Sequence, residues 1–181
     1  SRYDEALAIR KQVLELSRSE FGDDDFQTIE PKALLAKNLS DVGRDEEALN
    51  IHKQVVELSE KLFGLEHVKT LQAKANLASN LGALGRREDA LEAQMNNLVT
   101  ARKVLGDEHN FIAFSLNNIA VTLYRLGRYV QAIDTARQSL KLQRKVLGEK
   151  HPLVFDTMFD LTGTLISHSQ NLTEALFYAR K

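Results

Sequence analysis

The 181-residue sequence predicts an all-α fold, a solenoid of stacked antiparallel helix hairpins, and three observations carry that prediction. Gly22, Gly64, Gly106 and Gly148 stand 42 residues apart, and Gly43, Gly85 and Gly127 form a second column with the same spacing. Between the columns apolar residues recur at helical spacing, as in Leu35, Ala36, Leu39 and Val42, then Leu77, Ala78, Leu81 and Leu84. Small residues also recur in phase: Ala6, Ala48, Ala90 and Ala132 are each followed by leucine or isoleucine. A glycine just past an apolar helical stretch accepts the left-handed backbone that closes a helix, so each period holds two helices and two turns. A single hairpin has too little core to cover both apolar faces, and successive hairpins must therefore stack and share them.

The elements follow in order. Residues 1–21 read as the second helix of a truncated repeat, since "KQVLELS" at 11 returns as "KQVVELS" at 53. Residues 22–63, 64–105 and 106–147 are full repeats. The alanine column lets the two helices of each hairpin approach closely. Residues 148–181 form a degenerate, truncated repeat, in which Ser169 replaces the turn glycine, His168 replaces the core residues Val42, Leu84 and Leu126, and Ala175 comes one position late. The chain reads as a piece of a longer solenoid. Pro31 is a further irregularity, a breaker inside a helical stretch. It removes a hydrogen bond and clashes with the preceding turn, so the first helix of that repeat is expected to start late or kink, and "SEFGDDDFQTIEP" to be a longer loop than its counterparts.

Bulk composition excludes several function classes. Apolar residues make up 43 % and charged residues 27 %, enough apolar surface for a packed core. The net charge of −1 is spread without basic blocks, so no nucleic-acid partner is expected. No apolar run is long enough to cross a bilayer, so no membrane partner is expected either. The chain has no cysteine, which excludes thiolate metal sites and cysteine nucleophiles and fits a cytoplasmic location.

The column Asp25, His67, His109 and His151 invites a metal or acid/base reading. Metal donors must converge to about 2 Å from one ion, whereas packed helices lie roughly 8–10 Å apart. Stacking therefore separates the column. The other reading is a helix N-cap: aspartate is a preferred cap, neutral imidazole can accept one hydrogen bond, and Pro152 after His151 suits the first helical position. No glycine-rich phosphate loop, nucleophile elbow or paired-histidine helix motif is present, and no enzyme, metal or cofactor is expected.

These columns resemble the tetratricopeptide repeat in its 42-residue variant, the form found in kinesin light chains and nephrocystin-3-like proteins. Ala36, Ala78 and Ala120, Ala48, Ala90 and Ala132, and the turn glycines fall at the family's small-residue positions, and "LNNIAVTLYRLGRYVQAI" at 116–133 is the best-matching stretch. Lys32, Lys74, Leu116 and Met158 stand where the family has a large aromatic residue. The resemblance implies a right-handed superhelix that acts as a non-enzymatic scaffold or adaptor for a protein or peptide, with the first helices lining a concave groove. It places Asn76 and Asn118 at the family's peptide-contacting asparagine, in a column that reads Leu34, Asn76, Asn118 and Asp160. A side-chain amide can pair with both the N–H and C=O of an extended peptide. Each such bond contributes only about 0.5–1.5 kcal/mol, so specificity falls to groove neighbours: Lys37, Gln72, Phe114, Asn117, Tyr124, Arg125 and Phe159.

Two rival readings belong to other classes. Similar repeats adjoin nucleotide-binding modules, so the array is alternatively the sensor or oligomerisation region of a larger signalling ATPase, which a phosphate-binding loop upstream would support. The third reading is self-association through exposed terminal helices.

Overall fold

The computed structural model describes residues 2–169 and 178. Among these, eight α-helices follow one another: α1 (Arg2–Phe21), α2 (Phe26–Asp41), α3 (Asp45–Phe63), α4 (Val68–Ala83), α5 (Arg87–Leu105), α6 (Asn110–Arg125), α7 (Tyr129–Leu147) and α8 (Pro152–Thr164). A π-helical turn, Leu165–Ser169, continues α8. No strand occurs among the described residues. The helices belong to two compact units, Ser1–Ala93 and Gln94–Lys181, whose boundary falls inside α5.

Within the first unit the core is built from consecutive helices, as the shared apolar faces require. Leu7 and Leu14 of α1 pack with Leu35 and Leu39 of α2 and Ala48 of α3. Ile29 of α2, Val55 and Leu58 of α3 and Ala73 of α4 form the next layer. Leu49, Leu81 and Ala90 close a third, joining α3, α4 and the start of α5. The second unit repeats the scheme: Ala120 of α6, Ile133, Ala136 and Leu140 of α7, Val154, Met158 and Leu161 of α8, and Leu165 share one cluster, against which Tyr178 packs. The alanine columns are the tightest points, with Ala36, Ala48, Ala78 and Ala90 fully buried.

Both glycine columns do what their spacing predicts. After α2, α4 and α6 the chain closes in a Schellman motif: Arg44, Arg86 and Arg128 N–H groups donate to the carbonyls of Leu39, Leu81 and Leu123 at 2.8–2.9 Å. Gly127 takes φ +75° there. After α3 and α7, Gly64 and Gly148 combine φ near +88° with ψ of 168° and 157°, a region that a Cβ effectively forbids.

Two expectations need correction. α2 begins at Phe26, in phase with Val68, Asn110 and Pro152, and its preceding loop is no longer than the others. Pro31 sits inside the helix. It removes only the donor that would reach the carbonyl of Gln27, an exposed residue, while the Asp25 cap fixes the helix start independently. The second correction concerns the column of Val42, Leu84 and Leu126, which is half-buried rather than core. His168 is exposed and stacks flat on Tyr129, with ring centroids 3.6 Å apart. The expectation for the end of the last repeat, with Ala175 one position late, falls outside the described residues.

Candidate functional site

The acid and histidine column resolves into caps. Asp25 accepts from the Gln27 amide at 2.8 Å. His67, His109 and His151 each accept, through Nδ1, from the amides of Lys69, Phe111 and Leu153 at 3.2, 3.1 and 3.3 Å. An accepting Nδ1 carries no proton, so each ring is the neutral Nε2–H tautomer in this role. Each cap serves its own helix, and among the described residues no three of His, Asp or Glu come together as a metal site.

The side chains on the three-and-four face of the first helices stand away from the core, and each unit opens a groove there. In the first unit α2 and α4 supply Phe26, Glu30, Lys37, Lys69, Gln72 and Asn76 around a groove of about 610 Å³, floored by Ile29, Val55 and Ala73. The predicted Lys37, Gln72 and Asn76 thus come together. Phe26 and Lys69 line the same groove. Extending the three-and-four spacing one turn back, to the helix starts, would have found them. Lys69 also lies over the Phe63 ring, 4.9 Å from its centroid.

In the second unit α6 and α8 line a groove of about 440 Å³ with Asn117, Tyr124, Arg125, Phe159, Asp160 and Thr164. Asn117 is already engaged, since its Oδ1 accepts from the hydroxyl of buried Thr157 at 3.2 Å. Tyr124 is 41 % exposed and Phe159 80 % exposed. Tyr124 leans edge-on against Tyr129 and His168, which fixes its ring at the groove end. Phe114 and Asn118 are exposed on α6 but do not line this groove. Burial, and after it the charge of Asp156, pushes the Asp160 carboxyl above the usual carboxylate range.

Outside the grooves, polar groups tie loops to helices. Thr28 and Thr70, both fully buried, donate to the carbonyls of Gly22 and Gly64 at 2.6 and 2.8 Å. Lys32, 2 % exposed, reaches the Asp23 carbonyl at 2.8 Å and its carboxylate at 3.0 Å. It thus holds the α1–α2 loop with an ion pair at the position where the family has an aromatic ring. On α1, Ile9, Val13 and Leu16 are 59, 43 and 67 % exposed, an apolar stripe on the helix named for self-association.

Helical hairpins that close in Schellman turns, interlock through alanine columns and expose their first-helix faces define a protein of the helical-repeat class. The tetratricopeptide repeat model matches residues 1–61, 31–95, 69–145 and 111–181, and the chain belongs to the tetratricopeptide repeat family. No curated protein sequence matches it. Solved structures share the fold: the "nearly identical TPR-like repeats" of a kinesin light chain from Podosopora anserina match with TM-score 0.77 and 22 % identity over 98 % of this chain and 85 % of that one. BtubC (BKLC) from P. vanneervenii matches with TM-score 0.84 and 18 % identity, over 98 % of this chain and 71 % of that one. PlcR of Bacillus thuringiensis, in complex with the peptide PapR7 and DNA, matches with TM-score 0.75 and 14 % identity, over 98 % of this chain and 63 % of that one. No helix among the described residues is long and apolar enough to cross a membrane.

Proposed function

We propose that the chain is a non-enzymatic scaffold that binds an extended peptide or partner segment along the first helices of its repeats. The observation that carries this reading is the exposure of large side chains on faces that the solenoid leaves uncovered, Phe159 above all, at 80 %. An apolar ring held out of the core beside polar groups is the pattern of a binding groove. Asn76 stands beside Lys37 and Gln72 in the first groove, and Tyr124, Arg125 and Phe159 surround the second. Asn118 and Phe114 are exposed and free to face a ligand from α6. The structural likeness to PlcR, solved with a bound peptide, is consistent with this use of the fold.

The test is a pull-down with the intact chain against its Asn76→Ala/Asn118→Ala variant. Captured peptide is expected to fall severalfold, the scale of two lost hydrogen bonds, while the thermal midpoint hardly moves, because both side chains are exposed. Unchanged capture would remove the asparagine contacts from the mechanism.

A further inference from the structure

We infer that the bare face of α1 is a docking site for a helix, and that the helix it takes is a first helix of another repeat, lying outside these 181 residues and built like α2. The site is separate from both grooves, since none of Ile9, Val13 and Leu16 lines either.

The chain contains its own filled copy of this site. Ile9, Val13 and Leu16 recur 42 residues later as Ile51, Val55 and Leu58 of α3, the same three residue types at the same helical spacing. Their surroundings differ. Val55 and Leu58 are 2 and 5 % exposed, whereas Val13 and Leu16 are 43 and 67 % exposed. What covers α3 is α2: Ile29 packs in one cluster with Val55 and Leu58, and Ala33, one turn on, packs against that cluster together with Ile51. The Val55 column is closed in the second unit as well, where Ser139 of α7 is fully buried and donates to the Ala113 carbonyl of α6 at 2.8 Å. In both cases the cover is the first helix of the hairpin. On α1 the same second-helix face stands without one.

The filled copy also defines the chemistry of the occupant. It is an amphipathic helix with a branched apolar residue over the valine and leucine and a small residue one turn later, as Ile29 and Ala33 supply on α3. Ala73 of α4 completes the α3 cluster, and Pro31, half-buried, holds the Ala73 column on α2, the neighbour of α1. A docked helix therefore meets two walls, α1 and α2. A second copy of the chain has no free helix of this type, because α2, α4, α6 and α8 each bury their apolar residues in its own core. Nor does α1 against α1 suffice, since three side chains fall well short of the roughly 800 Å² per partner of a stable interface.

The experiment adds the sequence of α2 to the intact chain in two forms. A fluorescein-labelled peptide of residues 22–43 is titrated against the 181-residue chain. A fusion repeats residues 22–42 directly ahead of Ser1, with Ser1→Gly supplying the turn, so that the helix is presented at high effective concentration. The peptide is expected to bind at least about tenfold more tightly than its Ile29→Asp version, the scale of one buried isoleucine, and Val13→Asp with Leu16→Asp in the chain is expected to abolish that difference. Both side chains are exposed, so the variant keeps its fold, and peptide capture by the grooves is expected to be unchanged in it. In the fusion, amide exchange across residues 9–16 is expected to be at least about tenfold slower than in the same fusion with Ile29→Asp in the added copy. The fusion decides where the free peptide is too weakly helical to bind. Equal exchange in the two fusions would overturn the inference, as would peptide binding that survives the double aspartate variant. Self-association of the parent chain that the double aspartate variant abolishes would give the face to a second copy and overturn it too.

Discussion

Replacing His109 tests whether the histidine column stabilises the fold as a set of helix caps. His109 Nδ1 accepts from the Phe111 amide at 3.1 Å, with His109 in extended backbone at φ −92°, ψ 146°, and α6 carries no acidic residue in its first turn. Asp25 makes the equivalent bond at 2.8 Å from the same backbone region. His109→Asp therefore keeps the geometry, shortens the bond and places a negative charge on the positive end of the helix dipole. The cap and the charge together are expected to add about 1 kcal/mol. His109→Ala removes the acceptor and is expected to cost about 0.5–1 kcal/mol. At the size of this chain that spread is roughly 3–8 °C in thermal midpoint. Repeat proteins unfold with limited cooperativity, so the decisive assay is local. Amide hydrogen exchange at Phe111 should slow in the aspartate variant and quicken in the alanine variant. Identical midpoints, with exchange at Phe111 unchanged in both, would refute the capping argument.

Further outcomes follow from single buried groups. His52 is 3 % exposed, its Nδ1 has no partner, and burial lowers its pKa from 6.5. The unfolded chain then takes up a proton that the folded chain resists. Stability is full above pH 6.5 and falls as pH drops towards the folded pKa, by up to about 1.4 kcal/mol per pH unit. His52→Leu should flatten that part of a denaturation series between pH 7 and 5. Asp23→Asn leaves the Lys32 ammonium buried with only a carbonyl and is expected to cost about 1–3 kcal/mol in urea unfolding, whereas Lys32→Met, which removes the charge, should cost less. Hydrogen bonding to Lys32, partly opposed by burial, holds the Asp23 carboxyl below its ordinary range. The contribution of that pair is present above about pH 3.8 and disappears as pH falls below it, so the parent and Asp23→Asn chains should converge in acid. Gly127→Ala should cost about 1–2 kcal/mol through its φ of +75° alone, because nothing lies within 4 Å of the added Cβ.

The helix starts were readable from the residues because a cap is a local device. The oxygen or nitrogen of Asp25 or His109 bonds an amide two positions on, and sequence spacing is enough to see it. Pro31 misled for a related reason. Its lost hydrogen bond is local, but the phase of α2 is set by the cap before it and by Leu35 and Leu39 packing on α1. The groove residues divide along the same line. Lys37, Gln72 and Asn76 fall on one helix face by periodicity, whereas the engagement of Asn117 by Thr157, 40 residues away, appears only when α6 and α8 are side by side.

The sequence by itself determined the hairpin unit, its period of 42 residues and which columns are small, apolar or turning, because each is a repeated local constraint. Tertiary structure decided which charges find partners beyond their own helix. Lys32 is neutralised by a loop nine residues before it, while Asp160 lines a groove without a basic partner. Those pairings depend on distances between elements that no periodic pattern specifies.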